Sequence, residues 1–135
     1  MKVLAIDYGK KRMGFAISSL ELKVPTPLEH LNRKNLVADL DYIKKLIDEL
    51  DVGKIVIGLP LNMDGSMGKI ALEVDNFYRF LKKKVKIGVQ MIDERLTSFE
   101  AEEILKTQIP DFKKRKGKLD SMSAVIILNQ YFDKK

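Results

Sequence analysis

Residues 54–60 read KIVIGLP, an apolar, β-branched run with an amphipathic stretch on each side. A strand buried on both faces of a parallel sheet has this composition, and the flanking stretches are the helical crossovers that parallel strands require. Upstream, Leu36, Leu40, Ile43, Ile47 and Leu50 recur at helical spacing, with Lys44, Lys45, Asp48 and Glu49 on the other side. Gly53 fits the stop of that helix. Downstream, Ile70, Val74, Phe77 and Leu81 mark a second amphipathic helix, and KIGVQMID (86–93) a further strand.

The flanks complete the pattern. KVLAID (2–7) reads as a buried strand ending on an acid, and RMGFAIS (12–18) as its hairpin partner across a Gly-containing loop. Pro25 and Pro27 suit an edge or turn, with a short third strand around Leu28 to Leu31. Thr97 and Glu100 have capping-box spacing ahead of a short helix carrying Ala101, Ile104 and Leu105. A basic loop, KKRKGK (113–118), leads into LDSMSAVIILNQYF, apolar nearly all round and read as a buried terminal helix. The order β-β-β-α-β-α-β-α-α predicts an α/β fold: a five-stranded mixed sheet, order 3-2-1-4-5, with helices on both faces. Residues 1–135 are of a length for a single domain with its own core.

Composition narrows the setting. No apolar run approaches the roughly 20 residues of a membrane span. Asp7 and Lys10 interrupt the first ten residues, unlike a secretory signal, and there is no cysteine for a disulfide framework or thiolate metal site. These features favour the cytoplasm. The net charge of +6 invites a polyanionic partner where the cations cluster. The single His30 reads as an ordinary strand or surface residue rather than a ligand.

If the first, fourth and fifth strands are parallel, Asp7, the loop after Pro60 and Asp93–Glu94 emerge at one carboxyl edge, where open α/β sheets bind ligands. Asp7 begins DYGKKRMG, in which Lys10, Lys11 and Arg12 follow the acid directly. On its own this is a turn acid in a salt-bridged hairpin. With a second acid nearby it becomes an oxygen ligand for a hard cation beside a phosphate-binding loop. Asp93 and Glu94 supply that second acid, and adjacent residues of an extended segment point to opposite sides, so one of them faces Asp7. Two strand spacings of about 4.8 Å separate the two positions. Asp120 alone would be a helix-dipole acid in the first turn of the terminal helix, but Lys113, Lys114, Arg115, Lys116 and Lys118 precede it. Arg95 orients an acid or contacts phosphate, and Thr97-Ser98 reads as a helix cap. MDGSMG (63–68) reads as a turn with Ser66 as the N-cap of the next helix. Metal-bound acids beside cations suit phosphodiester chemistry, the acids holding metal ions and the cations holding the backbone.

Four stretches, DYGKKRMGFA, GLPLNMDGSMG, DERLTSFEA and KLDSMSAVIIL, resemble in order the four motifs of the YqgF/RuvX family, over nearly the whole chain from Lys2 to Phe132. That family comprises RNase H-like proteins described as Holliday junction resolvases and as nucleases maturing the 5′ end of pre-16S ribosomal RNA. The resemblance implies an RNase H-like fold and a carboxylate-metal nuclease holding one or two Mg²⁺ or Mn²⁺ ions, leaving a 5′-phosphate and a 3′-hydroxyl. It matches Asp7 to the first-strand acid and Asp120 to the acid of the last helix. The middle acid falls on Glu94, with Asp93 as second choice. Lys11, Arg12 and Arg95 match basic positions of the motifs, and Lys10 with the 113–118 cations would help position the strand. Ser19, Met13, Phe15 and Ser123 depart from the usual residues, none at a ligand position. A relative, RuvC, carries its middle acid after the fourth strand, where Pro60-Leu61 stands here, so its metal site cannot be transferred whole.

The expected substrate is thus a ribosomal RNA precursor, with a branched DNA junction as the alternative, acted on by a monomer or homodimer. A non-catalytic nucleic-acid-binding assembly factor would share the cations without needing the acids. D-x-G after a first strand also opens the phosphate loop of actin-like ATPases and sugar kinases, but those need a second domain that 135 residues do not accommodate.

Overall fold

The computed structural model describes residues 1–94 and the helix Phe112–Asp133, with side chains of that helix described from Ser121 onward. Among the described residues, β1 (Lys2–Asp7), β2 (Arg12–Ser19), β3 (Thr26–Asn32), β4 (Val52–Leu59) and β5 (Gly88–Asp93) form one sheet in the order β3-β2-β1-β4-β5. The β1–β2 and β2–β3 pairs are antiparallel, and the β1–β4 and β4–β5 pairs are parallel. The expected mixed sheet and strand order are therefore present. Helices α1 (Leu36–Leu50) and α2 (Lys69–Lys84) cover one face, and α3 (Phe112–Asp133) covers the other.

Period-two alternation divides the strand residues between two cores. Leu4, Ile6, Ile55, Ile57 and Val89 pack with Ile43 and Leu46 of α1 and with Val74, Phe77 and Leu81 of α2. Val3, Ala5, Val56 and Ile92 pack under α3, against Met122, Val125, Ile126 and Ile127. Each large aliphatic side chain so buried contributes about 1.5–3 kcal/mol relative to exposure. Val3, Leu4, Ala5 and Ile6 are all fully buried, because β1 lies at the centre of the sheet with helices on both sides.

Local signals set the helix ends, with three departures from the sequence expectations. Asn35 caps α1 by accepting the Ala38 N–H at 2.8 Å. The helix stops at Asp51, whose left-handed backbone (φ 58°) sends its N–H to the Ile47 carbonyl, so Gly53 falls inside β4 instead of ending the helix. Gly68, not Ser66, stands at the N-terminus of α2. Ser66 lies two residues before that N-terminus, and its N–H and hydroxyl donate to Asp64 within the preceding turn.

The third departure concerns the basic segment. Residues 113–118 belong to α3 and are not a loop, so Asp120 lies in the third turn of that helix rather than its first. Lysine and arginine are good helix formers, and one interior glycine, Gly117, costs only about 1 kcal/mol. The apolar half of α3 is buried without interruption from Ser121 to Leu128. No helix of the described residues is long and apolar enough to cross a membrane. The expected short helix through Ala101, Ile104 and Leu105 lies outside the described residues, as does Arg95.

Candidate active site at the carboxyl edge

β1, β4 and β5 run in the same direction and end together. Ile6 pairs with Ile57, Gly58 with Ile92, and Leu59 with Asp93. By extension of the ladder Asp7 is level with Gly58. The backbone N–H of Glu94 donates to the Leu59 carbonyl at 3.1 Å, which fixes Glu94 just past the end of β5. Alternation then assigns faces. Asp7 shares parity with Val3 and Ala5, Gly58 with Val56, and Glu94 with Ile92, and those partners all pack under α3. Asp93 shares parity with Met91, which packs on the α1/α2 side.

The Glu94 carboxyl lies over the bare Cα of Gly58. A Cβ on Gly58 would stand 2.5 Å from Glu94 Oε2 and 2.6 Å from Ile127 Cδ1 of α3. Glu94 is buried, at 8% exposure. Its pKa is pushed up to about 8, first by burial, then by the negative charges of Asp7 and Asp93. Asp7 is thus near enough for its charge to act on Glu94. The ladder also reaches α3: Leu28 pairs with Phe15, which pairs with Ile6. The Ser121 hydroxyl donates to the Leu28 carbonyl, which ties this part of α3 to the row one residue short of Asp7. Asp120 immediately precedes Ser121, two helical turns before Ile127, and its side chain is outside the described residues.

Glu94 gives a pH prediction. A carboxyl whose folded pKa is raised from 4.5 to about 8 binds more protons folded than unfolded across that interval. Stability of the metal-free protein should therefore fall as pH rises from about 4.5 to about 8, by up to about 1.4 kcal/mol per pH unit. Glu94→Gln should flatten that slope and melt higher than wild type at pH 8. Mg²⁺ should restore wild-type stability more at pH 8 than at pH 6, where protons compete for the carboxylate. Thermal melts across pH with and without Mg²⁺ measure both, and an unchanged slope in Glu94→Gln would remove Glu94 as its source.

The donor set suits a hard divalent cation: buried and half-buried carboxylates crowded at one edge, with Asp7 and Asp93 raising the cost of ionising Glu94 until a cation balances the charge. Among the described residues two of the three expected acids, Asp7 and Glu94, come together, and no group of three or more His, Cys, Asp or Glu side chains has metal-site geometry.

The cations divide. Lys11 is exposed on the β1–β2 loop and Arg12 at the first position of β2, and Lys10 pairs with Glu73 of α2 at 3.7 Å. The side chains of Lys113, Lys114, Arg115, Lys116 and Lys118 lie outside the described residues, although their helical backbone is described. His30 sits half-buried on β3.

Several residues went unnoticed in the sequence. Arg33, just past β3, donates from Nε to Asp39 Oδ2 at 2.8 Å and from Nη1 to the Gly9 carbonyl at 2.8 Å. Its guanidinium lies 4.7 Å from the centroid of the Tyr8 ring, and its backbone N–H donates to the Lys11 carbonyl at 2.8 Å. Burial works to lower the Arg33 pKa, but hydrogen bonding to Tyr8 and Asp39 outweighs it and raises the pKa. Asp39 is fully buried in the first turn of α1. Asp39 at a helix start and Arg33 in a polar linker look like ordinary cap and surface residues, so no sequence signal marked the pair. The sequence puts Gly58-Leu59-Pro60 on the strand between Asp7 and Asp93 with no bulky obstruction, but the role of Gly58 as a seat depends on which face Glu94 occupies.

A family model described as "RuvX: Holliday junction resolvase" matches residues 1–134. A protein of Syntrophomonas wolfei named "Putative pre-16S rRNA nuclease" is 43% identical over 133 residues, covering 98% of this chain and 94% of its own. One of the same name from Halothermothrix orenii is 41% identical over 133 residues, covering 98% and 95%. Among solved structures, T. thermophilus RuvC in complex with Holliday junction substrate aligns with a TM-score of 0.62 at 12% identity, over 98% of this chain and 94% of that one. The fowlpox virus Holliday junction resolvase aligns with a TM-score of 0.57 at 10% identity, over 99% and 98%. At those identities the two structures speak to the fold alone, and both share it.

Proposed function

The chain belongs to the RuvX family, and from that membership we propose that it is a metal-dependent nuclease of the cytoplasm that hydrolyses phosphodiester bonds in 5′-end maturation of pre-16S rRNA. The observation that carries the reading is the buried Glu94 carboxyl held over Gly58 within reach of the Asp7 charge. A carboxyl so placed costs the fold stability, which is expected of a ligand and not of a structural acid. Asp7, Glu94 and Asp120 would hold one or two Mg²⁺ or Mn²⁺ ions, with Asp93 the second choice for the middle position. Bound there, the ions would supply Lewis acidity that activates water and stabilises the leaving oxygen.

The chain's own groups do the rest. Lys11 and Arg12 hold phosphate oxygens beside Asp7, joined by Lys10 when it leaves Glu73, and by Arg95. The missing side chain at Gly58 leaves the Glu94 carboxyl its seat beside Ile127. In the hydrolysis the water oxygen ends on phosphorus as part of the 5′-phosphate, and the bond to the 3′ oxygen breaks, with that oxygen taking up a proton. The names of the relatives favour RNA as the substrate, and the description of the family keeps a branched DNA junction as the second reading.

The test is cleavage of a pre-16S 5′ segment, plain single-stranded RNA and a DNA four-way junction, each with Mg²⁺, Mn²⁺ or EDTA. Metal-dependent cutting of the ribosomal precursor establishes the reading, and preferential cutting of the junction replaces it with the second. Binding in every lane with cutting in none would make the protein a non-catalytic assembly factor.

The 113–118 cations give a separate prediction. Replacing Lys113, Lys114, Arg115, Lys116 and Lys118 with glutamine should weaken RNA binding and reduce the slope of log affinity against log salt by roughly 0.7 for each phosphate that is no longer neutralised. Binding titrations at several salt concentrations read this directly. An unchanged slope would remove that turn of α3 from the interface.

A further inference from the structure

Arg33 turns its side chain and its backbone on one neighbouring segment. Its guanidinium holds the Gly9 carbonyl, covers the Tyr8 ring and is anchored by Asp39, while its backbone N–H holds the Lys11 carbonyl. These interactions bear on the loop between β1 and β2 or on the α1 turn behind it. Tyr8 is also held by α2, because its ring meets Phe77 with the centroids 5.2 Å apart. The loop is also compact: a Cβ on Gly9 would overlap the Arg12 carbonyl, so the backbone closes tightly on itself between Asp7 and Arg12.

We propose that Arg33 is a positioning residue that clamps the β1–β2 loop to the first turn of α1, so that Lys11 and Arg12 are presented as a preformed phosphate grip beside Asp7. The pairing with Asp39 argues for this role over a purely stabilising one. Asp39 is fully buried, its Oδ2 accepts from the Arg33 Nε, and its Oδ1 has no hydrogen-bond partner among the described residues. A half-satisfied buried carboxylate is a poor choice for stability, since apolar residues of similar volume would do as well or better. It is a good choice for fixing the direction of a guanidinium, whose fork geometry then reaches the Gly9 carbonyl. Arg33 itself is no phosphate ligand, because Asp39 balances its charge and its Nε and Nη1 donors are taken by Asp39 and the Gly9 carbonyl. Its effect on substrate runs through Lys11 and Arg12, whose side chains are exposed. Holding the loop in advance, up to its junction with β2, removes the ordering cost that Lys11 on a free loop, with Arg12 at its edge, would meet on binding.

This rests on the nucleic-acid reading above, so its test is run in EDTA, where no cutting occurs and a failure of the nuclease assignment has no bearing. The double variant R33M/D39N removes the clamp without leaving a lone buried charge. Two readouts are taken beside a thermal melt: amide hydrogen exchange across residues 8–12, and affinity for a single-stranded pre-16S 5′ segment over a salt series. Expected are a melt close to wild type, at least about tenfold faster exchange confined to the loop, and about tenfold weaker binding with a shallower salt slope. Wild-type exchange and affinity in the folded double variant would overturn the proposal. R33K decides the matter if the double variant does not fold. It keeps the ion pair with Asp39 but cannot also reach Gly9 in a fixed fork, so loop protection and affinity should drop as in the double variant. Wild-type values in R33K would overturn the clamp. Faster loop exchange with unchanged RNA affinity would overturn its role in phosphate binding.

Discussion

Asp7→Asn should lower phosphodiester cleavage at least about a thousandfold and leave RNA affinity near wild type. The substitution is close to isosteric, so the β1–β2 hairpin and the Lys11 and Arg12 grip should persist. The variant lacks a negative oxygen donor, and metal-centred charge stabilisation worth several kcal/mol corresponds to about three decades in rate. The melt separates this from a structural role. Asp7 is one cause of the raised Glu94 pKa, after burial, so removing its charge should relieve repulsion. Asp7→Asn should then melt no lower than wild type at pH 8 without metal, while Glu94 titrates closer to its ordinary range. Cleavage equal to wild type would sink Asp7 as a metal ligand. A sharp fall in melting temperature would assign it to the fold instead.

The second large effect is expected from a residue with no side chain. Gly58→Ala should slow cleavage roughly a hundredfold, because the new methyl would stand 2.5 Å from Glu94 Oε2 and 2.6 Å from Ile127 Cδ1. Both obstacles are the free ends of flexible side chains rather than backbone, so the sheet can absorb the change at a cost of about 1–3 kcal/mol. Ile127 is boxed in by the core under α3, and the Glu94 carboxyl, just past the end of β5, is the group expected to move. The variant should therefore stay folded, lose rate, and lose the raised Glu94 pKa as the carboxyl moves off its seat. Gly88→Ala is the control, since a Cβ there meets nothing within 4 Å at the far end of β5. Wild-type cleavage by a folded Gly58→Ala protein would show that the seat over Gly58 does not set the working position of Glu94.

The elements themselves were legible where one physical signal dominated. The α1 and α2 stripes at helical spacing, the apolar runs of β1, β4 and β5, and Pro25 and Pro27 just before and at the start of edge strand β3 all stand where periodicity and turn chemistry put them. Misreadings came where two signals competed. The run KKRKGK reads as a loop by charge and as a helix by propensity, and its continuity with the apolar half of α3 decides for the helix. Ser66 looks like a cap, but it is tied into the turn on Asp64 and the helix starts two residues later, at Gly68. Gly53 looks like a stop, but Asp51 adopts the left-handed conformation two residues earlier.

The alternation of strand and crossover is written along the chain, and with it the edge at which Asp7 and the Asp93–Glu94 pair must emerge. Which member of that pair turns toward Asp7 depends on packing. An amphipathic strand announces its faces through alternation, but Val3, Leu4, Ala5 and Ile6 are apolar on both, as are Ile55, Val56 and Ile57. A strand sandwiched between helices therefore carries no mark of which residues look toward α3 and which toward α1 and α2. Only packing α3 against Val3, Ala5, Val56 and Ile92 assigns Asp7, Gly58 and Glu94 to one side and Asp93 to the other. The Arg33 clamp was out of reach for the same kind of reason. It joins residues from separate places in the chain, and each of them looks ordinary until the fold brings them together.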